Sequence, residues 1–170
     1  AKISKIEFLG DKKIKDRKLR SVIISEESRF WKVISNRKFL DINRVQLDEK
    51  LLTNYYKNNG YYNANIQSSS AQVIDNENFE LIFNINSGNK YYFNNLKLNF
   101  PTTFSKTEFS DIFKVLEQLK GKIYSLKRIE SILKEIDKIL LNSDYAFFNA
   151  TYDEVLFDNK IDLTINLKES

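Results

Sequence analysis

Phe79-Glu80-Leu81-Ile82-Phe83-Asn84-Ile85 and Ile161-Asp162-Leu163-Thr164-Ile165-Asn166-Leu167 align without a gap, residue 161 against residue 79. Each alternates apolar and polar positions, the pattern of a β-strand that buries one face. A second extended segment precedes each of them, Tyr62 to about Ile74 in the first case and Tyr145 to Leu156 in the second. Asp75-Asn76-Glu77-Asn78 supplies a hairpin turn within the first pair. Upstream of each hairpin lie two helical stretches and one more strand. The chain therefore contains one unit twice, in the order strand, helix, helix, strand, strand, and this internal repeat decides the fold class.

The first unit opens with Lys2 to Leu9, which carries Ile3, Ile6 and Phe8 and is expected to stop at Gly10-Asp11. Asp16 is placed to cap a short helix with Leu19, Val22 and Ile23 on one face. Asn43 is placed to cap a second, with Leu47, Leu51 and Tyr55 at four-residue spacing and Asn59-Gly60 as a left-handed stop. Periodicity is lost between these helices, where Phe30, Trp31, Val33 and Ile34 are expected in the core. In the second unit Tyr92 to Phe100 reads as a strand ended by Pro101, and Ser105 with Glu108 as a capping box. Phe109, Ile112, Phe113 and Leu116 form a helical stripe to about Leu119. After the break at Gly121, Ser125 caps a helix with Ile129, Ile132, Leu133, Ile136, Ile139 and Leu140 inward. Aligning Ile6-Glu7-Phe8 with Leu96-Lys97-Leu98 sets residue 96 against residue 6, so the first unit carries about eight extra residues, which fall between residues 25 and 40.

The chain has 170 residues, 29% charged and 42% hydrophobic, which excludes disorder and allows one large core or two small ones. The repeat selects two. Cys, His and Met are absent, which removes disulfides, thiolate and imidazole metal sites and the Ser-His and Cys-His nucleophile pairs. No carboxylate pair stands out as catalytic, so neither an enzyme nor a cofactor is expected. The net charge of +4 sums 27 basic and 23 acidic residues scattered along the chain, a solvated surface more than a nucleic-acid footprint. No apolar run reaches the roughly 20 residues of a spanning helix. Opening on Ala1 in strand-like sequence and ending in mid-pattern at Glu169-Ser170 suggest a piece of a longer chain.

The unit order resembles POTRA domains, and so do several local motifs: Ile3-Ser-Lys-Ile-Glu-Phe-Leu-Gly10, Tyr55-Tyr56-Lys-Asn-Asn-Gly60-Tyr61 and the ending from Phe79 to Gly88. Ser28-Arg-Phe30-Trp31-Lys32 with Arg37-Lys38-Phe39 is similar to the aromatic inter-helix segment of the third of five such domains in BamA-like outer-membrane barrel-assembly proteins. Lys120-Gly121-Lys-Ile-Tyr124-Ser125 and Tyr145-Ala146-Phe147 are similar to the fourth. Ser143-Asp144 departs from the pattern, standing where a Gly is expected before Tyr145, and that helix must end another way. The resemblance implies an α+β fold of two tandem β-α-α-β-β domains, 1–88 and 89–170. Each would be a three-stranded mixed sheet packed under two antiparallel helices, with the third strand in the middle. The linker from Asn86 to Lys90 is too short for a flexible tether but long enough for a hinge.

In that topology the second strand of each unit is an edge, and an edge strand offers unpaired backbone groups to an incoming chain. Residues 58–74 are the longest charge-free stretch in the sequence. The candidate docking rail within it is Asn63, Ala64, Asn65, Ile66, Gln67, Ser68, Ser69, Ser70, Ala71, Gln72 and Val73. The equivalent strand of the second unit carries Asp153 and Glu154. Alternatively, Ser68-Ser69-Ser70 simply marks a weak or bulged strand. Proline at Ser68 or Ala71 is expected to remove a donor from an incoming strand. The resemblance implies that this edge docks a BamB-like lipoprotein and segments of unfolded outer-membrane proteins, in the periplasm, beside flanking POTRA domains and a C-terminal membrane barrel. It implies no nucleic acid and no small-molecule substrate. Two rival readings remain: a tandem KH-like RNA-binding module, which shares the element order but would need a GXXG loop between its helices, and a passive spacer.

Overall fold

The alternating segment at Phe79–Ile85 becomes the central strand of a sheet. The computed structural model describes residues 2–28 and 39–170. In chain order the elements are β1 (Lys2–Asp11), α1 (Asp16–Val22), α2 (Ile42–Asn58), β2 (Asn65–Val73) and β3 (Asn78–Asn86), then β4 (Tyr92–Asn99), a 3-10 turn (Lys106–Phe109), α3 (Ser110–Leu119), α4 (Leu126–Leu141), β5 (Phe148–Phe157) and β6 (Lys160–Glu169). Contacts divide the chain into two compact units, Ala1–Lys57 with Asn63–Gly88, and Asn58–Tyr62 with Asn89–Ser170. The first holds a sheet ordered β1-β3-β2 and the second a sheet ordered β4-β6-β5. In each, the last strand runs parallel to the first and antiparallel to the second. This is the expected mixed sheet with the third strand central.

The repeat extends to an irregularity. The pairing of β1 with β3 slips between Ile3 and Lys5, and that of β4 with β6 slips between Phe93 and Leu96. A bulge at this point brings Ile3, Ile6 and Phe8 to one face despite the three-residue step from Ile3 to Ile6, and all three are buried. Leu81, Phe83 and Ile85 of β3 meet them there, with Leu19, Val45, Leu52 and Tyr56 from the helices completing the core. In the second unit Ile161, Leu163, Ile165 and Leu167 of β6 share a cluster with Phe109, Ile112, Leu116 and Leu119 and with Ile129, Ile132, Ile136 and Leu140.

Several local expectations are corrected. Gly10 does not end β1 but lies inside it, paired with Ile85, at φ +93 and so close that a Cβ would meet the Ile85 carbonyl oxygen at 2.2 Å. Asp16 is the first residue of α1 and pairs with Lys12 at 2.6 Å; the preceding Lys15 gives no side-chain cap. Asp41, not Asn43, caps α2, its Oδ1 accepting the Asn43 amide at 2.9 Å. The buried face of α2 is Val45, Asp48, Leu52 and Tyr56, one position away from the expected stripe, and Leu47 is exposed. Ser105 and Glu108 make no capping box, because the chain enters through a 3-10 turn and the Ser105 hydroxyl pairs with Thr107 at 2.7 Å. Ser125 does cap α4, accepting the Arg128 amide at 3.4 Å. Where Ser143-Asp144 replaces glycine, the backbone stays out of the left-handed region. The Ser143 hydroxyl instead donates to the Leu140 carbonyl at 3.2 Å and accepts the Tyr145 amide at 3.3 Å. Phe30, Trp31, Val33 and Ile34 lie outside the described residues.

Candidate docking edge

The edges of the two sheets are treated differently. β1 is engaged along its outer side by the Ser28 amide, which donates to the Ile3 carbonyl at 2.6 Å, by a bridge from Phe39 to Lys2, and by Arg20, which donates to the Ile6 carbonyl at 3.0 Å. β4 is engaged by the segment between α3 and α4: the Phe93 amide reaches the Lys122 carbonyl, and Gly121 and Tyr124 donate to Phe93 and Tyr91, each at 2.8 Å. Among the described residues, no backbone partner lies outside β2. The unengaged edge of the first sheet is thus the strand expected from the sequence.

β2 begins only at Asn65, because the chain turns through Tyr61 and Tyr62, whose amide bonds the Gly60 carbonyl at 3.1 Å. Asn63 and Ala64 precede the strand, and Ala64 is buried at 5% exposure. A register shift between Ile66 and Ser68 places a bulge at Gln67, leaving Ser68 to Val73 as the regular stretch, paired one to one with Asn84 to Phe79. Its far end is set by Asp75, whose carboxylate accepts the Glu77 and Asn78 amides at 3.0 Å and the Asn78 side-chain amide at 2.8 and 2.9 Å. These bonds, the Asn78 side chain first, hold its carboxyl below the usual range.

The phase of this hairpin decides which groups face outward. The Ile74 amide donates to the Asn78 carbonyl at 2.9 Å, and successive residues of a strand point their amides to opposite sides. Gln72, Ser70 and Ser68 therefore turn their N–H and C=O groups toward β3, while Val73, Ala71 and Ser69 turn theirs to the open edge. Proline at Ala71 would remove an outward donor. Proline at Ser68 would instead break the ladder, so the expectation for that position is corrected.

Side-chain direction follows the same alternation. Ser69, Ala71 and Val73 lie on the core face, opposite Phe83, Leu81 and Phe79, and Ser68, Ser70 and Gln72 lie on the other. Leu81 and Phe83 are at 0% exposure, yet Ala71 beside them is exposed and Val73 is at 67%. The Ser69 hydroxyl is out of water without a hydrogen-bond partner among the described residues. In the second unit, β5 sets Tyr152, Glu154 and Leu156 opposite Ile165, Leu163 and Ile161, and Tyr152 and Leu156 pack on the core. Glu154 and Asp153 point to opposite faces, Asp153 taking the Asn166 side-chain amide at 3.1 Å. The Tyr62 hydroxyl donates to Glu154 at 3.5 Å. Burial first, and the Glu154 charge second, push the phenols of Tyr62, Tyr124 and Tyr152 above the usual range. Charge distinguishes the two edges, as the sequence suggested; the size of the core-facing row distinguishes them further.

The candidate residues therefore present uncharged backbone along an open sheet edge. Among the described residues, no group of acidic side chains is arranged to hold a metal ion, and no helix is long and apolar enough to cross a membrane.

Comparison with known proteins gives one family twice. The POTRA family model, described as a surface antigen variable number repeat, matches residues 1–88 and 91–170. The outer membrane protein assembly factor BamA of Neisseria meningitidis is 24% identical over 148 residues, covering 86% of this chain, and that of Buchnera aphidicola is 24% identical over 165 residues, covering 95%. The chain spans 18% and 25% of the length of these relatives. A crystal structure of BamA POTRA3-5 from Haemophilus influenzae is similar over 99% of this chain and 66% of its own, with a TM-score of 0.75 at 18% identity. BamA from Haemophilus ducreyi lacking POTRA domains 1-3 is similar over 100% of this chain and 30% of its own, with a TM-score of 0.72 at 11% identity.

Proposed function

The chain belongs to the POTRA family, as two tandem domains, and from that membership we propose that it is part of the periplasmic arm of a BamA-like outer-membrane assembly factor, where it docks other chains on the β2 edge. The observation that carries the docking role is the outward set of backbone groups at Ser69, Ala71 and Val73, uncharged and, among the described residues, without a partner strand, on a sheet whose other edge is engaged. Soluble proteins blunt such edges with charge, proline or cover. Candidate partners are a BamB-like lipoprotein and extended segments of unfolded outer-membrane proteins, bound through main-chain hydrogen bonds. The domain limits 1–88 and 89–170, and their identity as the third-like and fourth-like of five, belong to the same proposal and are supported by the inter-helix motifs. The chain has no covalent chemistry in this reading, and membrane insertion is the work of a barrel elsewhere in the protein.

Surface plasmon resonance tests the role. An unfolded outer-membrane protein passed over the immobilised chain is expected to bind, and Ala71→Pro to abolish that binding. A passive spacer with the same fold predicts no difference between the two chains, and that result would overturn the proposal.

A further inference from the structure

We propose that β2 selects among incoming segments by side-chain size and charge, favouring large uncharged apolar residues where the segment pairs with Ser69, Ala71 and Val73; this rests on the docking reading above. The residues whose backbone groups face the open edge are the same ones whose side chains face the core. A segment that pairs with them places its own side chains on that face, next to theirs.

On β2 that row is small. Ala71 is exposed while its cross-strand neighbour Leu81 is fully buried, so among the described residues the core layer of the first unit gives out on β2 beyond Ser69. In the second unit the layer continues onto the edge strand itself, through Tyr152 and Leu156. The register places Ser69 where Tyr152 stands and Ala71 where Glu154 stands, since Phe83 and Leu81 correspond to Ile165 and Leu163. The second unit thus fills its own edge layer and sets a carboxylate in it, and among the described residues of the first unit nothing large fills that layer at Ser69 and Ala71. Large apolar side chains from a guest would supply it. A charged one would give up its own water on that face with nothing to pair it, since no residue between 58 and 74 carries a countercharge.

Fluorescence anisotropy on the whole 170-residue chain tests this with short labelled peptides of equal length and terminal charge. One alternates Thr with Leu, one alternates Thr with Ser, and one replaces the central Leu of the first with Glu. The Leu peptide is expected to bind at least about tenfold tighter than either other, the gain from burying even one such side chain. Ala71→Glu and, separately, Ser69→Tyr should remove that preference while neither lowers the thermal midpoint enough to unfold the chain at the assay temperature. Equal affinities for the three peptides, all lost in Ala71→Pro, would overturn the selectivity and leave the docking reading standing. Binding of none of them would overturn both.

Discussion

The alternation of backbone groups along β2 makes adjacent positions behave oppositely toward proline. At Ser70 the amide points to β3, so Ser70→Pro removes a ladder hydrogen bond and leaves the facing Ile82 carbonyl unpaired. That loss costs about 1–3 kcal/mol, and with about 4–8 °C per kcal/mol for a domain of this size the midpoint of the first unit should fall by roughly 4–24 °C. At Ala71 the amide points outward and no ladder bond is lost. Ala71→Pro should leave the midpoint within a few degrees, or raise it slightly, because proline restricts the unfolded chain at a saving of about 0.4–1 kcal/mol where the backbone fits. Binding reverses the order: Ala71→Pro abolishes strand docking, whereas Ser70→Pro weakens it only as far as it unfolds the strand. Differential scanning calorimetry of the two variants, followed by partner binding at a temperature where both are folded, measures both effects. If Ala71→Pro is as destabilising as Ser70→Pro, the phase inferred from the Ile74 to Asn78 hydrogen bond is wrong, and the assignment of docking groups falls with it.

Three further outcomes follow from other parts of the fold. Gly10→Ala forces a side chain into the left-handed region and against the Ile85 carbonyl, so urea denaturation should show a loss of about 1–3 kcal/mol or more in the first unit. Asp48 is fully buried in α2 and accepts the Ile24 amide at 2.7 Å and the Ser25 amide at 3.3 Å; Asp48→Ala should cost about 1.5–3 kcal/mol by the same measurement, because two amides lose a charged acceptor. The raised phenols of Tyr62, Tyr124 and Tyr152 mean that the unfolded chain releases these protons first. The stability of the second unit should therefore be undiminished below the ordinary tyrosine range of about 10 and fall as pH rises above it, with tyrosinate absorbance appearing late and Glu154→Gln moving it earlier.

The fold was legible because its decisive signal is periodic. Leu81, Phe83 and Ile85 alternate as Ile161, Leu163, Ile165 and Leu167 do, and both sets are buried on central strands. Helix caps were less legible, since a cap depends on the residue at which the chain enters the helix: Asp41 took the role expected of Asn43, and a 3-10 turn displaced the Ser105 box. The inward face of α2 was misplaced because its buried stripe contains Asp48, a polar residue whose burial is repaid by backbone amides from a distant loop. At the candidate site, the charge-free run located the strand and its topology located the edge. The bulge at Gln67 and the phase of the hydrogen bonds have no signature in residue type, and they decide which three residues face outward. The contrast of Ser69 and Ala71 with Tyr152 and Glu154 was present in the sequence, but only the pairing register shows that these positions correspond.

The central claim concerns three amides, and residue-resolved hydrogen exchange by NMR addresses it directly. In the free chain the amides of Ser69, Ala71 and Val73 should exchange fast while those of Ser68, Ser70 and Gln72 are protected by β3. With an unfolded outer-membrane protein segment bound, the first three should become protected and the second three should change little. A free chain in which all six are equally protected, or a bound chain in which Ser69, Ala71 and Val73 still exchange as before, would contradict docking on this edge.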